Sequence, residues 1–525
     1  MNRRSFIEFL GKGVVISPLT SSVLSACTSG GEYLTEALVG IKPSARDEVV
    51  LAEGLSYEVL IKYGDAFSEG LRFGYNNDYI AFLPDSGKSG MLWVNHESVN
   101  PYLAPGYDPD KARLRKIVAR EMTDVGGSFF RVKKRGSSWK VEIDDEANDK
   151  LTAVDKIPFE WEDKVAGAHE AVGTLANCSG GVTPWGTILT CEENYDGFYG
   201  DHDYATGKYL PSPLEWEVFY PNHKTEHYGW VVEYDPSTKS AKKHVGLGRF
   251  AHECATVKEL SDGRVVIYSG DDQNGGCLYK YIAATPGKIF PGQLYVGDFS
   301  TGTWQAISYD RPELNNKFAD ETEMLIRSRE AALLVGGTPL DRPEDIEIDP
   351  VDGSVIMALT NNKPEENYFG SLMRIKETDG YDGAAFSYET YLTGGEETGF
   401  ACPDNLAYDE AGNLWFTSDI SGSALNLPPY GTFGNNGLFV VPRSGVNAGK
   451  VIQMASAPND AEFTGPCFAP DGSLFLSVQH PGETSSGPGQ LTSNWPDGPG
   501  SIPKPAVIVI RGALLEDLQV AGEPT

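Results

Sequence analysis

Polar and apolar positions alternate along this chain in short runs interrupted by glycine, and one unit recurs. An apolar run leads into a Gly or Asp-Gly turn, then a second apolar run, then a cluster of polar residues. The clearest copies are Ile346 to Asn362, Leu406 to Gly422 and Cys467 to Gly482; looser ones are Tyr79 to Glu97, Ala171 to Asn194 and Glu253 to Asp272. Successive side chains of a strand face opposite sides of the sheet, so two such runs about a glycine turn predict a β-hairpin. LYKYI from Leu278 and GLFVV from Gly437 supply further strands. Six hairpins predict an all-β fold, a six-bladed β-propeller with loop and short helical insertions; a two-sheet sandwich is the alternative arrangement. Helical periodicity is scarce; Phe318 to Leu334 is the best helical stretch, an expected insertion, and the Gly-, Pro- and Ser-rich stretch from Gly482 to Pro505 reads as loop.

The first residues follow a different pattern. Arg3 and Arg4 stand before Ser5, Phe6, Ile7 and Leu10, and an apolar stretch from Gly13 ends in Leu24-Ser25-Ala26-Cys27. A bilayer of ~30 Å needs about 20 apolar residues, so this stretch is too short to span. It reads as a twin-arginine export signal with a lipobox, residues 1–27, leaving 28–525 as a single propeller domain. Cys27 then becomes a lipid-anchored first residue, or is lost by cleavage nearby. Either way the mature protein is expected in the periplasm or cell envelope, touching membrane only through that anchor, as a monomer.

The polar clusters fall at corresponding ends of the hairpins. His252-Glu253, Arg342-Pro343-Glu344-Asp345 and Pro403-Asp404-Asn405 precede first strands. Asn95-His96-Glu97, Glu192-Glu193-Asn194, Asp271-Asp272, Asn361-Asn362, Asp419 and His480 follow second strands. The start of one strand and the end of its partner are neighbours, so these groups are expected on one face, around the mouth of the channel. Carboxylates gathered there must bind cations or hold protons. An oxygen-rich set suits Ca2+, Mg2+, Mn2+ or Fe3+, and eight histidines with no H-E-x-x-H motif argue against a histidine-rich zinc site. Arg342 is the lone basic residue of the set, with a planar fork that matches phosphate oxygens.

Charge sharpens this. With 74 acidic against 43 basic residues the formal net charge is −31, which excludes nucleic acid as a partner. An acidic surface also repels phosphate esters, so a phosphatase built on this chain needs bound cations or a local arginine. Seven cysteines show no C-x-x-C spacing.

Several stretches resemble the PhoX-type alkaline phosphatases: FGYNND at Phe73 to Asp78, WVNHE at Trp93 to Glu97, NCSGGVTPWGTILTCEEN at Asn177 to Asn194, RFAHE at Arg249 to Glu253, RPEDIE at Arg342 to Glu347, FGNN at Phe433 to Asn436 and QHPG at Gln479 to Gly482. The resemblance implies a six-bladed propeller holding Fe3+ and Ca2+ around a bridging oxygen, and hydrolysis of small phosphate monoesters outside the cytoplasm. It implies Cys178 as a thiolate ligand of iron, Glu193, Glu253 and Glu344 as carboxylate ligands, and Arg342 on the phosphate. Asn95, Glu97, Glu192, Asp271, Asp272 and Asp404 take positions of calcium ligands or of residues supporting them. Two other functions fit an acid-lined propeller mouth: a calcium-dependent lactonase or esterase, and a non-enzymatic binding platform of the cell envelope.

Overall fold

The computed structural model describes residues 38–103 and 114–520. The expected signal segment 1–27 lies outside the described residues.

Six antiparallel sheets of four or five strands form the blades, the first four each built from one consecutive stretch of chain. Their inner strands are Asn77–Ser86, Asn177–Val182, Thr256–Glu259, Pro343–Ile348, Pro403–Tyr408 and Glu462–Phe468, in blades one to six. Inner strands of successive blades pack side by side, and the sixth returns onto the first, closing a six-bladed propeller. Closure uses the chain's own beginning. Ser56–Lys62 pairs with Ala506–Arg511 as the outer strand of blade six, and Val50–Leu51 adds to blade five. A closed ring leaves no long open edge at its centre.

The hydrophobic faces of neighbouring blades fill the wedges between them. Trp93, Phe129 and Tyr234 pack between blades one and two; Ile356, Phe416 and Phe439 between four and five; Trp415, Phe463 and Ile508 between five and six. Each such side chain contributes roughly 1.5–3 kcal/mol by burial. The expected helical insertion from Phe318 to Leu334 is present as two helices, Glu321–Ile326 and Ser328–Leu334. They part at Arg327, whose backbone leaves the helical region while its guanidinium pairs with Glu323 and Glu330.

Candidate metal centre and active site

One position of the repeat places the central side chains. In four blades the pairing register shifts between Asn77 and Ile80, Asn177 and Gly180, Pro343 and Ile346, and Pro403 and Leu406. A bulge at that point re-aims the extra residues of the strand. The residues at the shift include Asp78, Cys178, Glu344 and Asp404. Glu253 and Glu462 stand at the same ends of blades three and six, so every blade supplies one potential ligand. The backbone prepares this turn. Two residues before the ligand, Asn76, Ala176, Arg342, Cys402 and Asp460 have φ of 41°, 54°, 53°, 51° and 60°. Left-handed backbone is costly for residues other than glycine and is held only where the surroundings demand it, commonly at functional sites. Gly270 opens the space beside the centre: a Cβ there would lie 2.3 Å from the Pro343 carbonyl oxygen and 2.6 Å from that of Glu344.

The result is a buried acidic cluster. One ligand atom from each of Cys178, Glu193 and Glu253 lies within 4.8 Å of the others, and the same holds for Glu253, Glu344 and Asp404. Cys178 Sγ is 3.2 Å from Glu253 Oε2 and 3.4 Å from Asp78 Oδ2. The Thr360 hydroxyl donates to Glu344 Oε1 at 2.7 Å. Asn194 joins Glu193 and Glu97 through its amide, and Gln479 donates to Glu97 Oε2 at 2.6 Å and Asp78 Oδ2 at 3.3 Å. His480 Nε2 lies 3.0 Å from Glu462 Oε1.

Burial, reinforced by neighbouring carboxylates, holds Glu193, Glu253, Glu344, Asp404 and Glu462 far above the ordinary carboxylate range, and pushes Asp78 up to about 8. Burial, with Asp78 and Glu253 alongside, pushes the Cys178 thiol up as well. Asp272 departs from this trend: burial opposes its charge, but Arg342 outweighs burial and holds it below the usual range. Asp78 Oδ1, Glu193 Oε1 and Glu462 Oε2 are buried with no hydrogen-bond partner. Hard oxygen donors that are desolvated, crowded and partly unpartnered fit cations in the middle of the ring.

Arg342 forms an ion pair across blades. Its Nε and Nη2 donate to Asp272 Oδ1 and Oδ2 at 2.7 and 2.9 Å, and Nη2 is also 2.9 Å from Glu344 Oε1. Nη1 donates to no described residue, and the side chain remains 24% exposed beside an otherwise buried cluster.

The sequence-derived set divides accordingly. Cys178, Glu193, Glu253, Glu344, Asp404 and Glu97 share the centre. Asn95, Glu192 and Asp271 stand apart from the central cluster in that their polar atoms already have protein partners. Asn95 Oδ1 accepts from Trp93 and Thr190, and its amide donates to the Cys178 and Ser179 carbonyls. Glu192 pairs with buried Lys243 at 2.5 Å and accepts from the Gly229 and Trp230 backbone N–H groups. Asp271 is gripped by Arg329 at 2.6 Å. Asp272 is the partner of Arg342. Two central residues escaped the sequence reading, Asp78 and Glu462. Each occupies the strand-start position that Glu344 and Asp404 occupy in their own repeats.

A six-bladed propeller whose centre gathers buried carboxyl groups and a thiol, with one arginine at its edge, has the donor set of a metal-dependent hydrolase. Residues 38–482 match the family described as alkaline phosphatase PhoX, and the chain belongs to that family. It is a hydrolase of phosphate esters, which decides against the lactonase and binding-platform alternatives. Among solved structures, Pseudomonas fluorescens PhoX in complex with vanadate, a transition-state analogue, is 26% identical, with a TM-score of 0.80 over 93% of this chain and 99% of that one. A protein of unknown function from Dyadobacter fermentans (9% identity, TM-score 0.38, 88% and 100% covered) and a calcium-bound Trichoderma reesei carbohydrate-active enzyme of family AA12 (10%, 0.38, 90% and 98%) are too distant to bear on function. No curated protein matches by sequence.

Proposed function

We propose that this chain is an exported alkaline phosphatase whose centre holds Fe3+ and Ca2+ and whose Arg342 binds the transferring phosphoryl group. The observation that carries this reading is the pair of overlapping ligand sets that share Glu253. The set with Cys178 offers sulfur beside oxygen and suits iron; the set with Glu344 and Asp404 is all oxygen and suits calcium. Cys178, Glu193, Glu253, Glu344, Asp404 and Asp78 would hold the ions, with Glu97 and Glu462 closing the ring. Bound there, the ions supply Lewis acidity toward the phosphoryl oxygens.

The protein's own part is positioning and charge. Asp272 fixes Arg342 through Nε and Nη2, so that the guanidinium presents Nη1 in one orientation. An aligned donor of this kind stabilises charge on the equatorial oxygens as the ester bond breaks. Thr360 and Asn194 hold Glu344 and Glu193 in place, and the buried walls exclude water from the charged groups. The related Pseudomonas fluorescens PhoX binds vanadate, a transition-state analogue, which supports phosphate-ester chemistry here.

Arg3, Arg4 and the lipobox at Cys27 assign the protein to twin-arginine export and the periplasm or envelope, lipid-anchored through Cys27, acting as a monomer on small phosphate monoesters. The test is elemental analysis and phosphatase assay of protein purified after export. Iron and calcium together, with activity lost on chelation and restored by both metals, is the expected result. An active protein free of iron would overturn the assignment of the metals.

A further inference from the structure

Two arginines of the helical insertion over blade three grip consecutive carboxylates. Arg329, in the helix Ser328–Leu334, donates to Asp271 from Nε at 3.0 Å to each carboxylate oxygen and from Nη2 at 2.6 Å to Oδ1. Arg342, at the end of the insertion, holds Asp272 through the same two nitrogens. Asp271 and Asp272 adjoin in the chain, so the two ion pairs share one backbone corner.

That corner is fixed from several sides. The Ala251 N–H donates to Asp271 Oδ1 at 3.2 Å, and the Asp272 N–H donates to the Ala251 carbonyl at 3.1 Å. The Gln273 amide donates to Asp271 Oδ2 at 3.0 Å. The helices that carry Arg329 are docked two residues before Ala251, where the Arg249 N–H donates to the Leu325 carbonyl at 2.9 Å. The chain leaving them pairs with the loop after Asp272: the Leu340 N–H donates to the Gly276 carbonyl and the Gly275 N–H to the Leu340 carbonyl, both at 2.8 Å.

Asp272 needs such an anchor. Its carboxylate meets Arg342 but also stands among Glu193 and Glu344, whose carboxyls are raised by burial first and by Asp272 next. Like charges push Asp272 away from the centre, and a carboxylate that shifts takes the Arg342 fork with it. Asp271 is only 1% exposed, and a buried carboxylate held by a guanidinium through two nitrogens is a stiff, directional contact. We infer that Arg329 is a positioning residue for phosphate binding: through Asp271 it fixes the backbone of Asp272, and through Asp272 the orientation of Arg342 Nη1. Arg329 touches neither substrate nor metal in this role. The role rests on the assignment of Arg342 to the phosphoryl group.

The test is a double-mutant cycle in the metal-loaded protein, reading kcat/KM for p-nitrophenyl phosphate, affinity for vanadate, and metal content. Arg329→Gln should lower kcat/KM about tenfold and weaken vanadate by a similar factor at unchanged metal content, since misplacing a group by about 1 Å costs up to about 10²-fold. In the Arg342→Ala background the same substitution should change either value by less than about twofold, because the group it positions is gone. Arg329→Lys keeps a cation beside Asp271 without the fork. It takes the place of the glutamine variant if that one fails to fold, and should show a loss in the first background and none in the second. Equal losses in both backgrounds, no loss in a folded variant, or a loss of metal in step with activity overturns the positioning role. Undiminished activity in Arg342→Ala overturns the phosphate assignment and this role with it.

Discussion

Cys178 and Glu253 belong to different blades and are 75 residues apart in sequence, yet Cys178 Sγ lies 3.2 Å from Glu253 Oε2. The contact is maintained through the backbone, because the Ser179 N–H donates to the Glu253 carbonyl at 3.0 Å and locks blade two to blade three at the ligands. A sulfur donor among carboxylates gives a spectroscopic handle. With iron bound, the protein should show a thiolate-to-ferric absorption band. Cys178→Ala should lose the band, lose iron in elemental analysis, and lose at least about 100-fold in kcat. A variant that keeps full iron and the band would remove Cys178 from the ligand set.

The proposed phosphate-binding role of Arg342 predicts variants in which metal binding and turnover separate. Arg342→Ala should keep the wild-type metal content but lose about 10²–10³-fold in kcat, the usual effect of deleting one transition-state donor. Arg342→Lys should recover little, because lysine keeps the charge without the fork that Asp272 aligns. Undiminished activity in the alanine variant would reject the phosphate-binding role.

The hairpins were legible because the period-two alternation and the glycine turns come from local rules of strand and turn geometry. Ile346 to Asn362 corresponds to the paired strands Pro343–Ile348 and Val355–Leu359, and Leu406 to Gly422 to Pro403–Tyr408 and Leu414–Ser418. Asp78 was hidden because it sits one residue before the first recognisable alternation, at Tyr79, where the bulge breaks the period. Glu462 was hidden because its strand shifts register later, between Thr464 and Cys467, which detaches it from the readable run. Counting back from each glycine turn, as for Glu344 and Asp404, is the signal that finds both. The pairing of Asp271 with Arg329 was not readable at all, since it depends on a helical insertion folding back over blade three.

Gly270 is a steric test of the centre. A methyl group there meets the Pro343 and Glu344 carbonyl oxygens, backbone atoms that cannot rotate aside. Gly270→Ala should therefore shift the strand carrying Glu344, costing about 1–3 kcal/mol of stability and lowering metal occupancy. Unchanged melting and metal content would show that the strand yields without displacing its ligand.

The Glu192–Lys243 pair tests the supporting role directly. Both side chains are fully buried. Lys243→Met leaves the Glu192 carboxylate without its cation and should destabilise the protein by about 3–5 kcal/mol. The double variant with Glu192→Gln should recover much of that loss while keeping the wild-type metal content. A double variant that folds but is depleted of metal would make Glu192 a ligand after all.

Acid stability should report on Glu233, away from the centre. Burial resists its ionisation, but His244 Nε2 at 2.8 Å, Thr187 Oγ1 at 2.6 Å and Trp185 Nε1 at 3.0 Å surround the carboxylate and hold it far below the ordinary value. A group depressed in the folded state stabilises the protein above its unfolded pKa, near 4.5, and the contribution falls away as pH drops toward the folded value, because the unfolded chain takes up the proton first. Glu233→Gln removes the titration and leaves the shape. At pH 7 the variant should be less stable by about 1.5–3 kcal/mol, the range for hydrogen bonds to a charged group. That gap should narrow steadily below about pH 4.5 as the wild type alone loses its contribution. Denaturant unfolding of both proteins between pH 7 and pH 3.5 measures it, and a gap that stays constant over that range would show that Glu233 is not held ionised by these partners and by Lys242, whose Nζ lies 3.4 Å from its Oε2.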